Sequence, residues 1–357
     1  MGIDPHKKTH TAVAIDAASA RVLGELTVAA RKPGHERLLA WARALDPERT
    51  FAVEDCRHVS GSLERFLIGR GESAVRVHPK LMALSRRTAR TRGKSDPIDA
   101  TAVARAALRE PDLPRAELAG VERDMKLLID HREALVGERS RIQNRVRWHL
   151  HDIDPEITVP TGGLDRYVQL DRLDAHLRGL GQTVEIRLAR SLLARCRALT
   201  TEAKDLERQI DGLVRTHVPE LLARPGCGAL TAAKIVGEVA GITRFSSHAK
   251  LALHAGVAPL EVSSGGRNRH RLNRTGNRQL NAALHRIAVT QSRVHPPARA
   301  YLERKQAEGH SRREALRCLK RHLARTIYHS LNEAEARRGR QASSDPTSPP
   351  GRFPAVA

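Results

Sequence analysis

Two long stretches, residues 117–150 and 184–214, carry apolar residues at helical spacing through a background rich in Arg and Glu. Leu127, Leu128, His131, Leu135, Ile142, Val146 and Leu150 keep that spacing in the first. Leu192, Leu193, Cys196, Leu199, Leu206, Ile210 and Leu213 keep it in the second. A chain with two such helices cannot be one compact sheet-based domain. Pro155, Pro160, Gly162 and Gly163 mark turns in the segment between them, residues 155–181. An antiparallel helical hairpin or coiled-coil arm is therefore expected over residues 111–218, acting as a spacer or dimer arm.

Residues 1–110 have another texture, with short β-rich runs alternating with helical patterns. Strands are expected to end at Ile3-Asp4 and to cover residues 11–15, 22–28, 50–54 and 74–77. Helices are expected over 34–45, 62–68 and 98–108. The order β-β-β-α-β-α-β-α predicts a mixed sheet with helices on its faces. Only three residues precede Asp4, whereas strands usually run ~5–6 residues, so the start codon is expected a few codons upstream. Residues 219–330 read as a third, compact, basic, mainly helical unit. Residues 331–357, proline- and serine-rich from 341, read as a disordered tail.

Charge narrows the partners. The 357 residues include 62 Lys and Arg against 40 Asp and Glu, a net charge of +22. Phosphate is the natural counter-charge, so nucleic acid is the expected partner. Aromatic residues are only 3%, which leaves little to stack single-stranded bases on. The four cysteines show no C-x-x-C pair, which argues against a disulfide scaffold or a cysteine zinc site and fits a reducing cytoplasm. No apolar run approaches the ~20 residues that span a bilayer, and the opening MGIDPHKKTH has no apolar leader segment. A cytoplasmic, nucleoid-associated protein without membrane contact is expected.

Four carboxylates stand out in the first region. Asp4 closes the first strand in GIDPHKKTH, Glu54 closes the fourth in AVEDCRH, and Asp96 and Asp99 open a helix in KSDPIDA. Functional groups of open sheets gather at strand ends beside helix N-termini. Four ionised carboxylates share a small volume only with cations between them. Oxygen ligands without Cys or His favour Mg²⁺ or Mn²⁺, and paired ions of this kind clamp phosphodiesters during cleavage. A plainer account exists for each residue. Asp96 before Pro97 makes a good N-cap, and Asp99 then favours the helix dipole. His6 and His10 read as surface or phosphate-facing residues rather than ligands. Arg86, Arg87, Arg90, Arg92 and Lys94 form either a solvated charge run or a phosphate-gripping loop.

Further along, RPGCG precedes a small-residue helix. Gly226 and Gly228 there fit a helix-hairpin-helix that approaches a DNA backbone, or an ordinary glycine turn. Ser263, Ser264, Gly265 and Gly266 read as a flexible loop running into Arg267, Arg269, Arg271, Arg274 and Arg278, with a helix from about Asn277. A serine needs activation to attack phosphorus, and arginines stabilise the charge of the transition state. A serine-glycine turn in a basic DNA-binding loop accounts for the same residues.

Together, GIDPHKKTH, AVEDCRH, KSDPIDA, RPGCG, GVAPLEVSSGGR and RTGNRQLNAALH, in that order, resemble the DEDD transposases of the insertion-sequence family numbered one-ten. The resemblance spans about residues 1–330. It implies an α/β RNase-H/RuvC-like N-terminal domain, a coiled-coil arm and a C-terminal transposase domain. It implies that Asp4, Glu54, Asp96 and Asp99 hold Mg²⁺, and that the serine directly before glycine, Ser264 rather than Ser263, is a nucleophile that joins covalently to DNA. It also implies excision and integration of a mobile element, a structured bridge RNA as guide, and a dimer or tetramer in which the acidic site of one protomer meets the serine of another. Two rival readings stand beside it: a RuvC-like metal-dependent nuclease or Holliday-junction resolvase that uses water, and a non-catalytic DNA-packaging protein. A tyrosine recombinase using Tyr301 or Tyr328 is weaker, because no accompanying Arg/His/Arg set is identifiable.

Overall fold

A computed structural model describes the chain except for residues 78–80, 83–94, 111–112, 114, 117–119, 265–266, 274–275 and 345–357, and except for the side chains of residues 57–58, 261–264, 267–272 and 342–344. By compactness the chain divides into two units, Met1–Gly120 and Val121–Ala357.

The first unit runs β1 (Gly2–Pro5), β2 (Thr9–Ile15), β3 (Val22–Ala29), α1 (Lys32–Leu45), β4 (Thr50–Glu54), α2 (Arg57–Gly69), β5 (Ser73–Val77) and α3 (Asp96–Arg109). This is the element order expected from the pattern. The five strands form one sheet in the order β3-β2-β1-β4-β5. β1, β2 and β3 pair antiparallel, while β1–β4 and β4–β5 pair parallel. β1 is only four residues long, yet it is central: Gly2 lies opposite both Val13 and Ala52. Alternation along β4 separates two faces. Phe51 and Val53 pack with Ile3, Leu38 and Leu39 of α1, and Leu63 and Leu67 of α2. Ala52 packs instead with Ala102, Val103 and Ala106 of α3.

The seat of α3 depends on one glycine. A Cβ at Gly2 would fall 2.0 Å from the Ala100 carbonyl oxygen and 2.4 Å from the Ala104 nitrogen. Only a residue without a side chain lets the helix backbone rest on β1, and the small residues of α3 (Ala100, Ala102, Ala104, Ala106) extend that close contact.

The second unit is mainly helical. Its elements are α4 (Val121–Ile153), a 3₁₀ turn (Gly163–Asp165), α5 (Tyr167–Gly179), α6 (Val184–His217), α7 (Pro219–Leu222), α8 (Ala229–Val239), α9 (His248–His254), β6 (Pro259–Ser264), β7 (Arg267–Leu272), α10 (Arg278–Val294), α11 (Pro296–Ala307) and α12 (Arg312–Ser344). α4 and α6 lie side by side in opposite directions: Arg132 pairs with Glu207, and Arg195 with Glu138. Leu135, Ile142, Val146 and Leu150 bury against Ile186, Ala189, Leu193 and Cys196. The segment between them is more than turns. It contains α5, whose Leu170, Leu173 and Leu177 complete the same cluster. At the other end, Met125 and Ile129 of α4 and Ile210 and Val214 of α6 share a core with α8, α10 and α12.

The chain end also departs from expectation. α12 continues through 331–344, so the disordered tail does not begin at 331. Leu331 and Ala334 are buried, Arg337 pairs with Glu220 at 2.8 Å, and Arg338 pairs with Glu122 at 2.8 Å. The expected tail from 345 lies outside the described residues. Among the described residues, no helix is long and apolar enough to cross a membrane.

Gly2→Ala is expected to lower stability by about 1–3 kcal/mol, because the added methyl group must displace helix backbone. Gly24→Ala, where a Cβ meets only the Trp41 ring at 3.4 Å, serves as the control. Thermal melts compare the two, and equal melting temperatures would refute the close-approach argument.

Candidate active site

Asp4 and Glu54 end parallel neighbouring strands. Gly2 lies opposite Ala52 and Ile3 opposite Val53, so one further step along the register brings these two carboxylates to adjacent strand ends. α3, seated on Gly2 through Ala100, supplies Asp96 and Asp99 from its first turn. Asp4 is 4% exposed and Asp99 is also buried; Glu54 is half-buried and Asp96 more open.

The other three carboxylates act on Asp4. Burial pushes the Asp4 carboxyl up from 3.8 to about 6; His6 opposes that rise, and Glu54, Asp99 and Asp96 add to it. Asp4 Oδ2 is buried and accepts no hydrogen bond. The imidazole of His6 is nearest, with Nε2 3.3 Å from Asp4 Oδ2 and 3.2 Å from Asp96 Oδ1. A tight turn places it there: His6 N–H donates to the Thr9 carbonyl at 2.8 Å and folds the residue back beside the end of β1. Donor atoms of Asp4, His6 and Asp96 lie within 4.8 Å of one another, Glu54 and Asp99 add charge beside Asp4, and a buried carboxylate with an orphaned oxygen in such company fits a hard divalent cation.

Two sequence expectations change here. Asp96 is not the helix cap: Ser95 occupies that position, and Asp96 is the first helical residue, turned toward His6. His10 does not face solvent or phosphate. It is fully buried and stacks on His35 with ring centroids 5.4 Å apart. Burial first, then His35, lowers its pKa to about 4, so it is neutral at physiological pH. His6 is exposed, in keeping with a surface or phosphate-facing place, and its imidazole also stands beside Asp4 and Asp96. Nearby, burial and then the Glu54 and Asp4 charges push the Cys56 thiol up to about 12, which keeps it protonated and inert. Arg86, Arg87, Arg90, Arg92 and Lys94 lie outside the described residues.

In the second unit the expected serine loop is a β-hairpin. β6 and β7 pair antiparallel from Pro259 opposite Leu272 to Ser264 opposite Arg267. Ser264 therefore ends β6, directly before the Gly265-Gly266 connection, and Arg267, Arg269 and Arg271 take alternate positions of β7. Arg274 lies outside the described residues, and Arg278 is exposed at the start of α10.

The motifs flanking the hairpin fix its base. A Cβ at Gly276 would lie 2.2 Å from the Gly256 nitrogen, and Gly256 itself has φ +67°. Asn277 N–H donates to the His254 carbonyl at 2.6 Å, and its side chain accepts from Leu280 N–H at 2.9 Å. Asn281 donates to the Ala255 carbonyl at 2.9 Å and accepts from Lys320 at 2.9 Å. Beside this clasp is an open groove of about 1220 Å³, lined by Arg278, His285, Lys305, Arg317, Lys320 and Arg321 among others. Sequence reasoning missed the last five as a set, since they come from three helices.

The RPGCG turn precedes α8. Gly226 (φ +80°) packs against α10, since a Cβ there would lie 3.0 Å from Thr290 Cβ; Gly228, the N-cap of α8, faces open space. Packing thus accounts for Gly226.

A mixed α/β unit with carboxylates at its strand ends is followed in the chain by a mainly helical unit, and each contains a segment that matches a transposase family model. Residues 1–155 match the DEDD transposase model of the IS110 type, and residues 219–303 match the model described as Transposase IS116/IS110/IS902 family. The uncharacterized 44.8 kDa protein of insertion element IS116 from Streptomyces clavuligerus is 26% identical over 93% of this chain and 94% of its own length. The uncharacterized 43.6 kDa protein of IS110 from Streptomyces coelicolor is 33% identical over 47% of this chain and 42% of its own. The uncharacterized 42 kDa protein of IS900 from Mycobacterium paratuberculosis is 30% identical over 43% and 39%. The chain belongs to the IS110 family of DEDD transposases. Membership supports DNA transposition, with DNA as partner and a divalent metal in use.

Asp4 makes a pH-dependent prediction. The unfolded carboxyl ionises near 3.8 and the folded one near 6, so the folded state holds the extra proton between those values. The group's contribution to stability is full below 3.8 and is lost as pH rises through 6, a cost of about 3 kcal/mol at pH 7. In chelator, Asp4→Asn is expected to melt at least ~2 °C above wild type at pH 7.5, with a smaller gap at pH 5. A variant that melts below wild type at pH 7.5 would refute this.

Proposed function

We propose that this transposase cuts and rejoins DNA through the Ser264 hydroxyl, while Asp4, Glu54, Asp96 and Asp99 hold Mg²⁺ or Mn²⁺. The observation that carries the metal half is Asp4, buried beside three other carboxylates with one oxygen left without a hydrogen bond. A divalent ion bound there supplies positive charge to phosphate oxygens. Ser264 Oγ attacks phosphorus: the Oγ–P bond forms as the bond from phosphorus to one deoxyribose oxygen breaks. The enzyme is then joined to one DNA end, and the other end carries a hydroxyl. Attack by a hydroxyl from another strand reverses the step and frees the serine.

Arg267, Arg269, Arg271, Arg274 and Arg278 hold the strands and offset the transition-state charge. Arg86, Arg87, Arg90, Arg92 and Lys94 form a second phosphate grip. Gly228, before the N-terminus of α8, forms a third, in a helix-hairpin-helix. The strand order β3-β2-β1-β4-β5 supports a RuvC-like reading of the first unit, and the paired α4 and α6 support a coiled-coil arm. A homo-oligomer, dimer or tetramer, and a structured bridge RNA complete the proposal from the family resemblance. The net charge of +22 supports nucleic-acid partners of both kinds and a nucleoid location.

The test combines protein, donor DNA, Mg²⁺ and candidate RNA from the flanking non-coding DNA. Wild type is expected to form a denaturation-resistant protein–DNA adduct that maps to the Ser264 peptide. Ser264→Ala is expected to form none while still binding DNA. Cleavage by that variant without adduct would instead identify water as the nucleophile.

Chelation or Asp4→Ala is expected to abolish strand cleavage and leave salt-dependent DNA binding in place. Wild-type protein that binds DNA but shows no chemistry with or without metal would identify a packaging role.

A further inference from the structure

We infer that His6 is a ligand of the same cation, which makes the centre a mixed carboxylate–imidazole site that prefers Mn²⁺ to Mg²⁺. The inference rests on the metal reading of Asp4, Glu54, Asp96 and Asp99 and goes beyond it, because the four carboxylates alone offer only oxygen.

The geometry is that of donors facing one point. Asp4 Oδ2, His6 Nε2 and Asp96 Oδ1 all lie within 4.8 Å of one another. Ligands ~2.1 Å from a common ion stand about 3 Å apart at adjacent corners of an octahedron. The two contacts of His6 Nε2, 3.3 Å and 3.2 Å, fit such positions.

Hydrogen bonding alone does not explain the cluster. An imidazole Nε2 carries at most one hydrogen, so it can offer the two carboxylates only a single shared, weaker three-centre bond. Asp4 is 4% exposed, and its Oδ2 accepts no hydrogen bond. A cation among the three atoms satisfies every one of them. Half of the His6 side chain is exposed, so the site keeps an open side for a substrate oxygen.

The chemistry of the donor sets the preference. Mg²⁺ takes oxygen ligands and keeps its waters; Mn²⁺ shares the taste for carboxylates but, standing at the foot of the first-row transition series, takes a nitrogen donor more readily than Mg²⁺ does, though less readily than Fe²⁺, Ni²⁺ or Zn²⁺. A centre with one nitrogen donor therefore gains affinity for Mn²⁺ with little gain for Mg²⁺.

Full-length protein loaded with Mn²⁺ alone is examined by electron spin echo envelope modulation, and Mn²⁺ and Mg²⁺ affinities are measured by calorimetry. Wild type is expected to show ¹⁴N coupling from a directly bound imidazole. The chain has 18 histidines, so the coupling must disappear in His6→Ala to count. That variant should also lose about tenfold or more in Mn²⁺ affinity, the loss that even an outer-shell partner causes, and lose much less for Mg²⁺. His6→Gln, which keeps an oxygen donor, should restore Mg²⁺ binding but not the coupling. Binding of Mn²⁺ that depends on Asp4 but shows no His6-dependent coupling, or that is equally tight in His6→Ala, overturns the His6 assignment and leaves the carboxylate site standing. Absence of any Mn²⁺ binding sensitive to Asp4→Asn overturns both.

Discussion

The contact of α3 with β1 at Gly2 is the constraint on which the acidic cluster depends. A strand end can present Asp4, and its parallel neighbour can present Glu54, by register alone. Bringing two more carboxylates to the same place needs a helix whose first turn overhangs the strand. That geometry exists only because helix backbone rests where a Cβ would be. The apolar small-residue face of α3 anchors it against Ala52 and Val77, and this burial holds like charges together. Charge repulsion at the site is thus held in place by packing one turn away.

The second unit solves a similar problem with different parts. Its hairpin carries Ser264 and alternate arginines on two six-residue strands, and two strands alone are marginal in water. The contact of Gly256 with Gly276 and the hydrogen bonds of Asn277 and Asn281 tie both ends of the hairpin to α9 and α10. Residues that look functional because they flank the serine are, at these positions, the mounting of the hairpin.

What the sequence disclosed follows physical range. The strands and helices of the first unit were legible because their apolar periodicity is local, and the ends of parallel strands line up once the order is known. The hairpin was also within reach and was missed. Leu260 and Val262 alternate with polar residues, two glycines follow, and arginines then recur at every second position, which is a strand–turn–strand pattern. α5 is masked in the sequence by the prolines and glycines upstream of it, although Leu170, Leu173 and Leu177 keep helical spacing. The place of His6 beside Asp4 and Asp96 was not legible, since it depends on a turn that folds it back and on a helix that starts ninety positions later. His10, four residues on, has the opposite fate because β2 carries it into the interior.

Two separate buried groups, His10 and Asp4, bear on how the first unit tolerates acid. His10 ionises near 6.5 when unfolded and near 4 when folded, so its contribution weakens as pH falls through that interval. Asp4, ionising near 3.8 unfolded and 6 folded, strengthens over almost the same interval. The two slopes have opposite sign and similar size, so each acts as a counterweight to the other. Without metal, the imidazole's loss on mild acidification is thus offset by relief at the carboxyl.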